Sequence, residues 1–156
     1  MAPPDRFIAW CKQEQLRRLI LPVALSFVVI SPALADVRIL SSPGGKAGPY
    51  LDFFSQVRRS GERVVIDGPC LSACTLVLST IPRHRVCMTR RAILGFHAPQ
   101  IVDEKSGRSV RTRDATRAVT AFYPARVQAW IKRNGGLKQK FIYLRGRELA
   151  ALYPRC

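Results

Sequence analysis

The side chains of Ser72 and His97 have the types and surroundings that could support nucleophilic catalysis. Ser72 lies in the stretch Gly68–Cys74, which joins a predicted strand to a predicted helix. A hydroxyl at a helix N-terminus faces free amides and the positive end of the helix dipole, which favour negative charge. The simpler interpretation is that Ser72 only caps the helix. His97 ends an apolar run, where it could act as general base toward a serine. Its simpler interpretation is an ordinary core or surface histidine.

A second turn, Ser42–Gly45, has the sequence Ser-Pro-Gly-Gly and also lies between a predicted strand and a predicted helix. Paired glycines let a backbone approach a ligand closely and can direct amide N–H groups toward it. Such amides could stabilise the oxyanion of an acyl-transfer reaction. On its own, this sequence is more often only a tight turn.

The elements that must position these turns alternate between strands and helices. Apolar residues at helical spacing between Tyr50 and Val57 predict a helix that ends at Gly61. The strand–helix–strand order predicts an α/β fold with right-handed crossovers. The predicted strands are residues 37–40, 63–66, 85–88 and 92–96, with an extended stretch at 141–144. The predicted helices are residues 49–59, 72–80, a segment from about 112 that restarts at Pro124, and 146–152. Residues 67–69 are a predicted turn, and residues 99–111 a loop or exposed hairpin.

The N-terminal region has the pattern of a secretory signal. Residues 19–30 form an apolar run that is too short to span a bilayer comfortably. Two arginines precede this run, and Ala33 and Ala35 follow it at the positions that a signal peptidase reads. We therefore predict a signal peptide over residues 1–35 and a periplasmic or secreted domain over residues 36–156. The alternative is a retained membrane anchor. Cleavage would remove four basic and two acidic residues, which lowers the net charge from +16 to +14.

The cysteine count depends on this cleavage, because Cys11 would leave with the signal peptide. An even number of cysteines in a small exported domain predicts disulfides, here two. The sequence leaves the three pairings open, although one pair could brace the turn around Ser72. The alternative is that some of these cysteines are buried thiols. The four remaining cysteines are Cys70, Cys74, Cys87 and Cys156.

Metal and cofactor chemistry is not indicated by this sequence. The two histidines, His84 and His97, and the cysteines form no cluster at zinc-ligand spacing. His84 lies in a basic turn and is expected to be solvated. We therefore expect neither a metal nor a cofactor.

Taken together, the motifs resemble the proteolytic subunit of Clp protease and its relatives in the crotonase-like superfamily. The resemblance rests on the order of the Ser42–Gly45 turn, the Gly68–Ala73 turn and the run Ala92–Pro99, which ends in His-x-Pro. The segment Tyr143–Leu152 is similar to the one that closes the domain in that family. The resemblance covers most of residues 36–156 and implies a single-domain ββα spiral of the α/β class.

The same resemblance implies roles for four residues: three in the two turns, and His97. Ser72 and His97, which are 25 positions apart, would be the nucleophile and the base. The backbone amides of Gly45 and Ala73 would form the oxyanion hole.

The sequence departs from this family at the third member of the catalytic triad. The family's acid would fall near Phe141, where the run Lys-Gln-Lys-Phe-Ile offers no carboxylate. A Ser–His dyad without an orienting group could still react, but more slowly. The alternative is a catalytically inactive relative. The stretch after His97 is also shorter than in the family, so assembly into a homo-oligomer is left open. The other candidates to orient His97 are Gln139, Asp103, Glu104, Asp114 and Asn134.

Two hypotheses for the function follow. The first is an exported serine hydrolase, a peptidase that cleaves peptide or protein substrates through an acyl-enzyme. The second is a non-catalytic binding domain that uses a basic surface for anionic envelope polymers or acidic proteins. A basic surface can also be merely solvated, and the absence of a nucleic-acid-binding motif argues against a specific nucleic-acid partner. Arg108, Arg111, Arg113 and Arg117 lie close together around the polar loop, and Arg145 and Arg147 lie near the end of the sequence.

Overall fold

The computed structural model describes residues 35–102 and 106–156. The predicted signal peptide lies outside the described residues except for Ala35, and so do Asp103 and Glu104, two of the candidates to orient His97. The division into a signal peptide and a domain therefore stays a prediction.

The described chain begins with alternating strands and helices, as the sequence predicts. The strand order and the mixture of helices and strands confirm the α/β class. The strands are β1 (Asp36–Ile39), β2 (Arg63–Ile66), β3 (Pro69–Leu71), β4 (Val86–Met88), β5 (Ile93–Phe96), β6 (Ile101–Val102), β7 (Ser109–Val110) and β8 (Ile142–Arg145). The helices are α1 (Ala47–Ser60), α2 (Val77–Thr80), α3 (Arg113–Phe122), α4 (Ala125–Arg133) and α5 (Gly146–Leu152). Two 3-10 segments lie at Ser72–Leu76 and Arg83–Arg85.

Two small sheets carry the turns of interest. The first has the order β1-β2-β4, and all of its pairs are parallel. The second has the order β3-β5-β8, in which β3 and β5 are parallel. Because β3 and β5 run side by side in the same direction, the residues that follow them meet at one edge of the sheet. Ser72 and His97 are those residues.

Buried apolar side chains from α1, both sheets and α4 form the core that holds these sheets in place. Helix α1 has the pattern expected from its sequence, with Phe54 and Val57 on the buried face, and it ends at Gly61 in the left-handed conformation. The largest fully buried side chains are Trp130, Tyr153, Phe54, Phe96, Ile66, Leu94, Ile131 and Leu144.

Two local predictions were wrong. Residues 69–71 form strand β3 rather than the end of a turn, because a proline at the first position of a strand leaves the following amides free to pair. The predicted helix 72–80 begins with a 3-10 segment, and only residues 77–80 are α-helical. The extended stretch predicted at 141–144 is strand β8, which pairs with β5 in the antiparallel direction.

Two disulfides are present, the number that the sequence predicts. Cys70 pairs with Cys74, and Cys87 pairs with Cys156. The first bridges the two sides of the turn that contains Ser72, and the second ties the C-terminal residue to β4. Across residues 35–102 and 106–156, we find no helix with the length and apolar character needed to cross a membrane.

Candidate active site

Ser72 occupies a strained position at the junction between β3 and the 3-10 segment. Its φ angle is +52°, and no other non-glycine residue among those that the structure describes has a positive φ. A left-handed conformation is unfavourable for a residue with a side chain, and such strain is concentrated at functional sites. The Leu71 residue before it is extended, so the backbone conformation changes abruptly at the serine.

Two hydroxyl groups hold the Ser72 backbone in this conformation. The Thr75 hydroxyl donates a hydrogen bond of 2.6 Å to the Ser72 carbonyl. Because that bond uses the only Thr75 hydroxyl proton, the Tyr123 hydroxyl must be the donor in its own 2.6 Å contact with Thr75 Oγ1. Burial raises the pKa of Tyr123, which keeps this donor protonated. Neither residue could be identified from the sequence, since no local motif links positions 75 and 123.

His97 and Ser72 are in direct contact. The His97 Nε2 atom lies 2.7 Å from Ser72 Oγ, a normal hydrogen-bond distance. Both side chains are partly buried, so the pair is shielded yet reachable from a cavity. The structure therefore brings together the two residues that the sequence spacing singled out.

The glycine turn packs against the serine turn. The Ser42 amide donates to the Pro69 carbonyl, and the Leu71 amide donates to the Ser42 carbonyl, at 2.8 and 2.9 Å. A Cβ atom added at Gly44, whose φ is +84°, would lie 2.5 Å from both the Leu71 carbonyl oxygen and Ser72 Cβ. Only glycine fits at this position, because the two backbones touch there.

Tyr50 braces the other side of the glycine turn. Its hydroxyl lies 2.7 Å from Ser42 Oγ, so helix α1 is hydrogen-bonded to the start of the turn. The next glycine, Gly45, has a φ of +156°. The turn is thus fixed by backbone pairing on one side and by a tyrosine on the other.

A cavity of about 620 Å³ opens beside this cluster. Gly45 and Ala73 line it together with Ser72 and His97, so the two predicted oxyanion-hole positions share one cavity with the serine. A volume of this size accommodates a small ligand or a peptide side chain. The apolar side chains that line it are Leu51, Leu76, Val102, Val119 and Phe122.

The pKa of His97 is held below its usual value of about 6.5. Burial is the main cause, because it disfavours the charged imidazolium. The positive charge of Arg111 lowers it further, whereas a hydrogen bond with the Ala98 backbone acts in the opposite direction. The imidazole is therefore neutral at pH 7, the form in which it can accept a proton.

An aromatic ring packs against His97. Among the residues that the structure describes, no carboxylate does so. The Phe141 ring lies with its centroid 4.5 Å from that of the imidazole, at the position where the resemblance predicts the acid. Asp114 pairs instead with Arg117, and Asn134 donates to the Trp130 carbonyl within α4. Gln139 is exposed and has no hydrogen bond to His97. Among the described residues, none of these candidates orients the base.

The remaining sequence-predicted residues lie around the site or away from it. The Cys70–Cys74 disulfide brackets Ser72, and both sulfur-bearing residues are fully buried. His84 is exposed in a 3-10 segment, as expected for a solvated side chain. Within residues 35–102 and 106–156, no three His, Cys, Asp or Glu side chains cluster as metal ligands would.

Comparison with known proteins finds a structural likeness. No family model and no curated protein matches this chain. A solved structure of a ClpP1 mutant from Listeria monocytogenes is similar to it, with a TM-score of 0.48 and 13% sequence identity. The similarity covers 75% of this chain and 70% of that chain. The interpretation of the site therefore rests on its own geometry.

Proposed function

We propose that this protein is a serine hydrolase that cleaves peptide or related acyl bonds. The observation that carries the proposal is the 2.7 Å contact between Ser72 Oγ and His97 Nε2 at the wall of a cavity. A hydroxyl in a strained turn, next to a neutral imidazole, is the arrangement that nucleophilic catalysis requires. The ββα-spiral architecture that the sequence resemblance implies is part of the same proposal.

The first half of the reaction forms an acyl-enzyme. Ser72 Oγ attacks the substrate carbonyl carbon while His97 Nε2 takes the hydroxyl proton. The negative charge that develops on the carbonyl oxygen is stabilised by the backbone amides of Gly45 and Ala73. When the tetrahedral intermediate collapses, the bond to the leaving group breaks, and the leaving group takes the proton from Nε2.

The second half regenerates the enzyme. A water molecule attacks the acyl carbon, and His97 Nε2 accepts one of its protons. Collapse of this second intermediate breaks the bond to Ser72 Oγ and returns the proton to that oxygen, so a carboxylic acid leaves. Without a carboxylate behind the base, the imidazolium has less support, and we expect a slower enzyme than one with a full triad.

Covalent labelling tests this proposal on the purified protein. A fluorophosphonate carrying a fluorophore should label the wild type, because its phosphorus is attacked by an activated serine. Ser72→Ala should abolish the label and His97→Ala should reduce it by at least about a hundredfold, in line with the contribution of a general base. Ser55→Ala on helix α1 is the matched control and should leave the label unchanged. A wild type that takes no label, or a Ser72→Ala variant that labels equally, would refute the proposal.

Export is the second part of the proposal. We propose that residues 1–35 are a cleaved signal and that residues 36–156 act in the periplasm or outside the cell. Two disulfides support it, because such bonds persist in oxidising compartments. Expression of the full chain in a bacterium, followed by N-terminal sequencing of the periplasmic fraction, should yield a chain that starts at Asp36. Recovery of the uncleaved chain from the membrane fraction would instead establish the anchor.

A binding domain without catalytic activity is the second candidate function. It is favoured by one observation, that no described carboxylate or amide orients His97, together with a net charge of +16. In this case the protein would bind an anionic polymer such as heparin at low ionic strength and release it as salt screens the charges. Ser72→Ala would bind as tightly as the wild type. No retention on a heparin column in low salt would exclude this candidate.

A further inference from the structure

A second cavity of about 630 Å³ is lined by part of the same β7–α3 segment as the first and has a different character. It contains no acidic lining residue and no aromatic one. Three of its six lining residues are arginines, and two threonines and a leucine complete the wall. Its lining residues are Arg111, Thr112, Arg113, Thr116, Arg117 and Leu137.

Two of the three arginines have their charge free for a ligand. Arg117 forms an ion pair with Asp114, the acidic neighbour one turn away on α3. Arg111 and Arg113 are exposed and have no ion pair within the part of the chain that the structure describes. Unpaired guanidinium groups that share a cavity repel each other, and a bound anion would relieve this repulsion.

The segment from β7 to α3 lines both the basic cavity and the one that holds Ser72. On that segment Ser109, Ala118 and Val119 line the cavity with Ser72, whereas Arg111, Arg113 and Arg117 line the basic one. Arg111 directly follows β7, whose Val110 pairs with Ile101 of β6, four residues after His97. In line with this placement, its positive charge lowers the pKa of that imidazole.

We propose that the basic cavity is an anion subsite of the hydrolase, and that its substrates carry a carboxylate close to the acyl group that Ser72 attacks. The proposal rests on the proposed serine-hydrolase function. Guanidinium groups match carboxylates in geometry and charge, and the Thr112 and Thr116 side chains supply further polar atoms. The preferred substrate is amphipathic, with an apolar part beside Leu76 and Phe122 and a carboxylate toward Arg111.

A pair of matched labels tests the subsite. Two fluorophosphonates are compared, one with an apolar chain that ends in a carboxylate and one with the methyl ester of the same chain. At low ionic strength the wild type should react about tenfold faster with the carboxylate than with the ester, as expected for a charge-assisted hydrogen bond. In the double variant Arg111→Gln/Arg113→Gln the ratio of the two rates should fall to about 1. The ratio is the readout because any change in His97 basicity affects both labels equally.

A second double variant controls for the total charge. Arg59→Gln/Arg147→Gln removes the same two charges from the end of α1 and from α5, where neither side chain lines a cavity of the site. It should keep the wild-type ratio. Equal rates of both labels on the wild type, or a ratio that survives Arg111→Gln/Arg113→Gln, would overturn the subsite and leave the hydrolase standing. Failure of both labels to react with the wild type would instead refute the proposed hydrolase function.

Discussion

At the scale of single residues, the site consists of a strained serine, a partly buried histidine and an aromatic ring in place of an acid. Phe141 packs on the imidazole of His97, so it restricts the orientation of the ring without supporting a positive charge. Burial and Arg111 both keep the imidazole neutral. The imidazole should therefore stay neutral to a lower pH than that of an unperturbed histidine.

The pH profile of labelling follows from this pKa. The reactive form is the neutral imidazole, so the rate falls when the pH drops through the folded-state pKa, which lies below 6.5. We expect the midpoint of the acid limb of the fluorophosphonate rate to lie below pH 6.5 in the wild type. Arg111→Gln removes a charge that lowers the pKa, so its midpoint should move to higher pH. A variant midpoint equal to or below that of the wild type would contradict this account.

The sequence predicted the pairing of Ser72 with His97 but not the groups around them. Ser72 and His97 could be predicted because each follows an apolar strand and lies in a short motif. Tyr123 and Phe141 are remote in sequence from the residues they contact, so no spacing rule could assign them. Arg111 belongs to a group of arginines that the sequence shows, but its electrostatic effect on His97 depends on the fold.

At the scale of elements, the site is the junction of two strand-ending turns. The parallel strands β3 and β5 deliver Ser72 and His97 to one edge, while the glycine turn after β1 pairs with β3 through backbone hydrogen bonds. These turns could be predicted from glycine and proline positions. The pairing between them could not, because it depends on contacts between separate segments.

The close contact at Gly44 predicts that one added methyl group strongly lowers the labelling rate of Ser72. Gly44→Ala would place Cβ 2.5 Å from the Ser72 side chain at a left-handed φ, so the serine turn must move. We expect the labelling rate to fall at least about tenfold, the loss typical of a slight misplacement of a catalytic group. Gly48→Ala is the matched control, because its Cβ meets nothing within 4 Å, and it should keep the rate. Equal labelling of both variants would show that the glycine turn does not position Ser72.

The disulfide that matters more for stability should differ from the one that matters more for labelling. The Cys70–Cys74 bond closes a short loop around Ser72, whereas Cys87–Cys156 closes a long one. Loop-closure entropy predicts that loss of the short bond lowers the free energy of unfolding by about 2 kcal/mol and loss of the long bond by about 4 kcal/mol. We nevertheless expect Cys70→Ala/Cys74→Ala to lose more labelling than Cys87→Ala/Cys156→Ala.

Denaturant unfolding and labelling rates, both measured well below the melting temperature, separate these effects. A Cys70→Ala/Cys74→Ala variant that labels at the wild-type rate would contradict the proposed role of the short disulfide. It would show that the bond contributes only to stability.

At the scale of the whole molecule, a buried carboxylate joins the first sheet to the loops at its edge. Asp67 accepts hydrogen bonds from Arg38 at 2.6 Å, from Thr89 at 2.7 Å and from Arg91 Nε at 3.0 Å. These donors, with Arg91 the strongest, hold the pKa of Asp67 well below its usual range. The sequence predicted only a turn at this position, since nothing local indicates that the aspartate is buried.

The depressed pKa makes the contribution of Asp67 to stability depend on pH. The group stabilises the fold above its unfolded-state pKa of about 3.9, and the contribution is lost as the pH falls below that value toward the folded-state pKa. Asp67→Asn should therefore lower the urea midpoint markedly at pH 7, and the gap to the wild type should narrow at pH 3. A gap that is constant or wider at pH 3 would contradict the role of the ionised carboxylate.

The α/β class and most helix and strand positions could be predicted from apolar runs, because each run buries one face of its element. The direction of β8 could not, since a strand of four residues pairs equally well either way until the fold fixes its neighbours. The sequence predicts that Arg111 and Arg113 lie close together, but only the tertiary structure shows that both line one cavity.

The central claim is that Ser72 is a nucleophile activated by His97, and peptide mapping of the fluorophosphonate adduct tests it most directly. Wild-type protein, labelled, digested and analysed by mass spectrometry, should carry one adduct on Ser72, in the peptide that also contains the Cys70–Cys74 disulfide. The His97→Ala variant should carry little or none after the same time. An unmodified Ser72, an adduct on another residue, or equal modification of Ser72 in the His97→Ala variant would contradict the account.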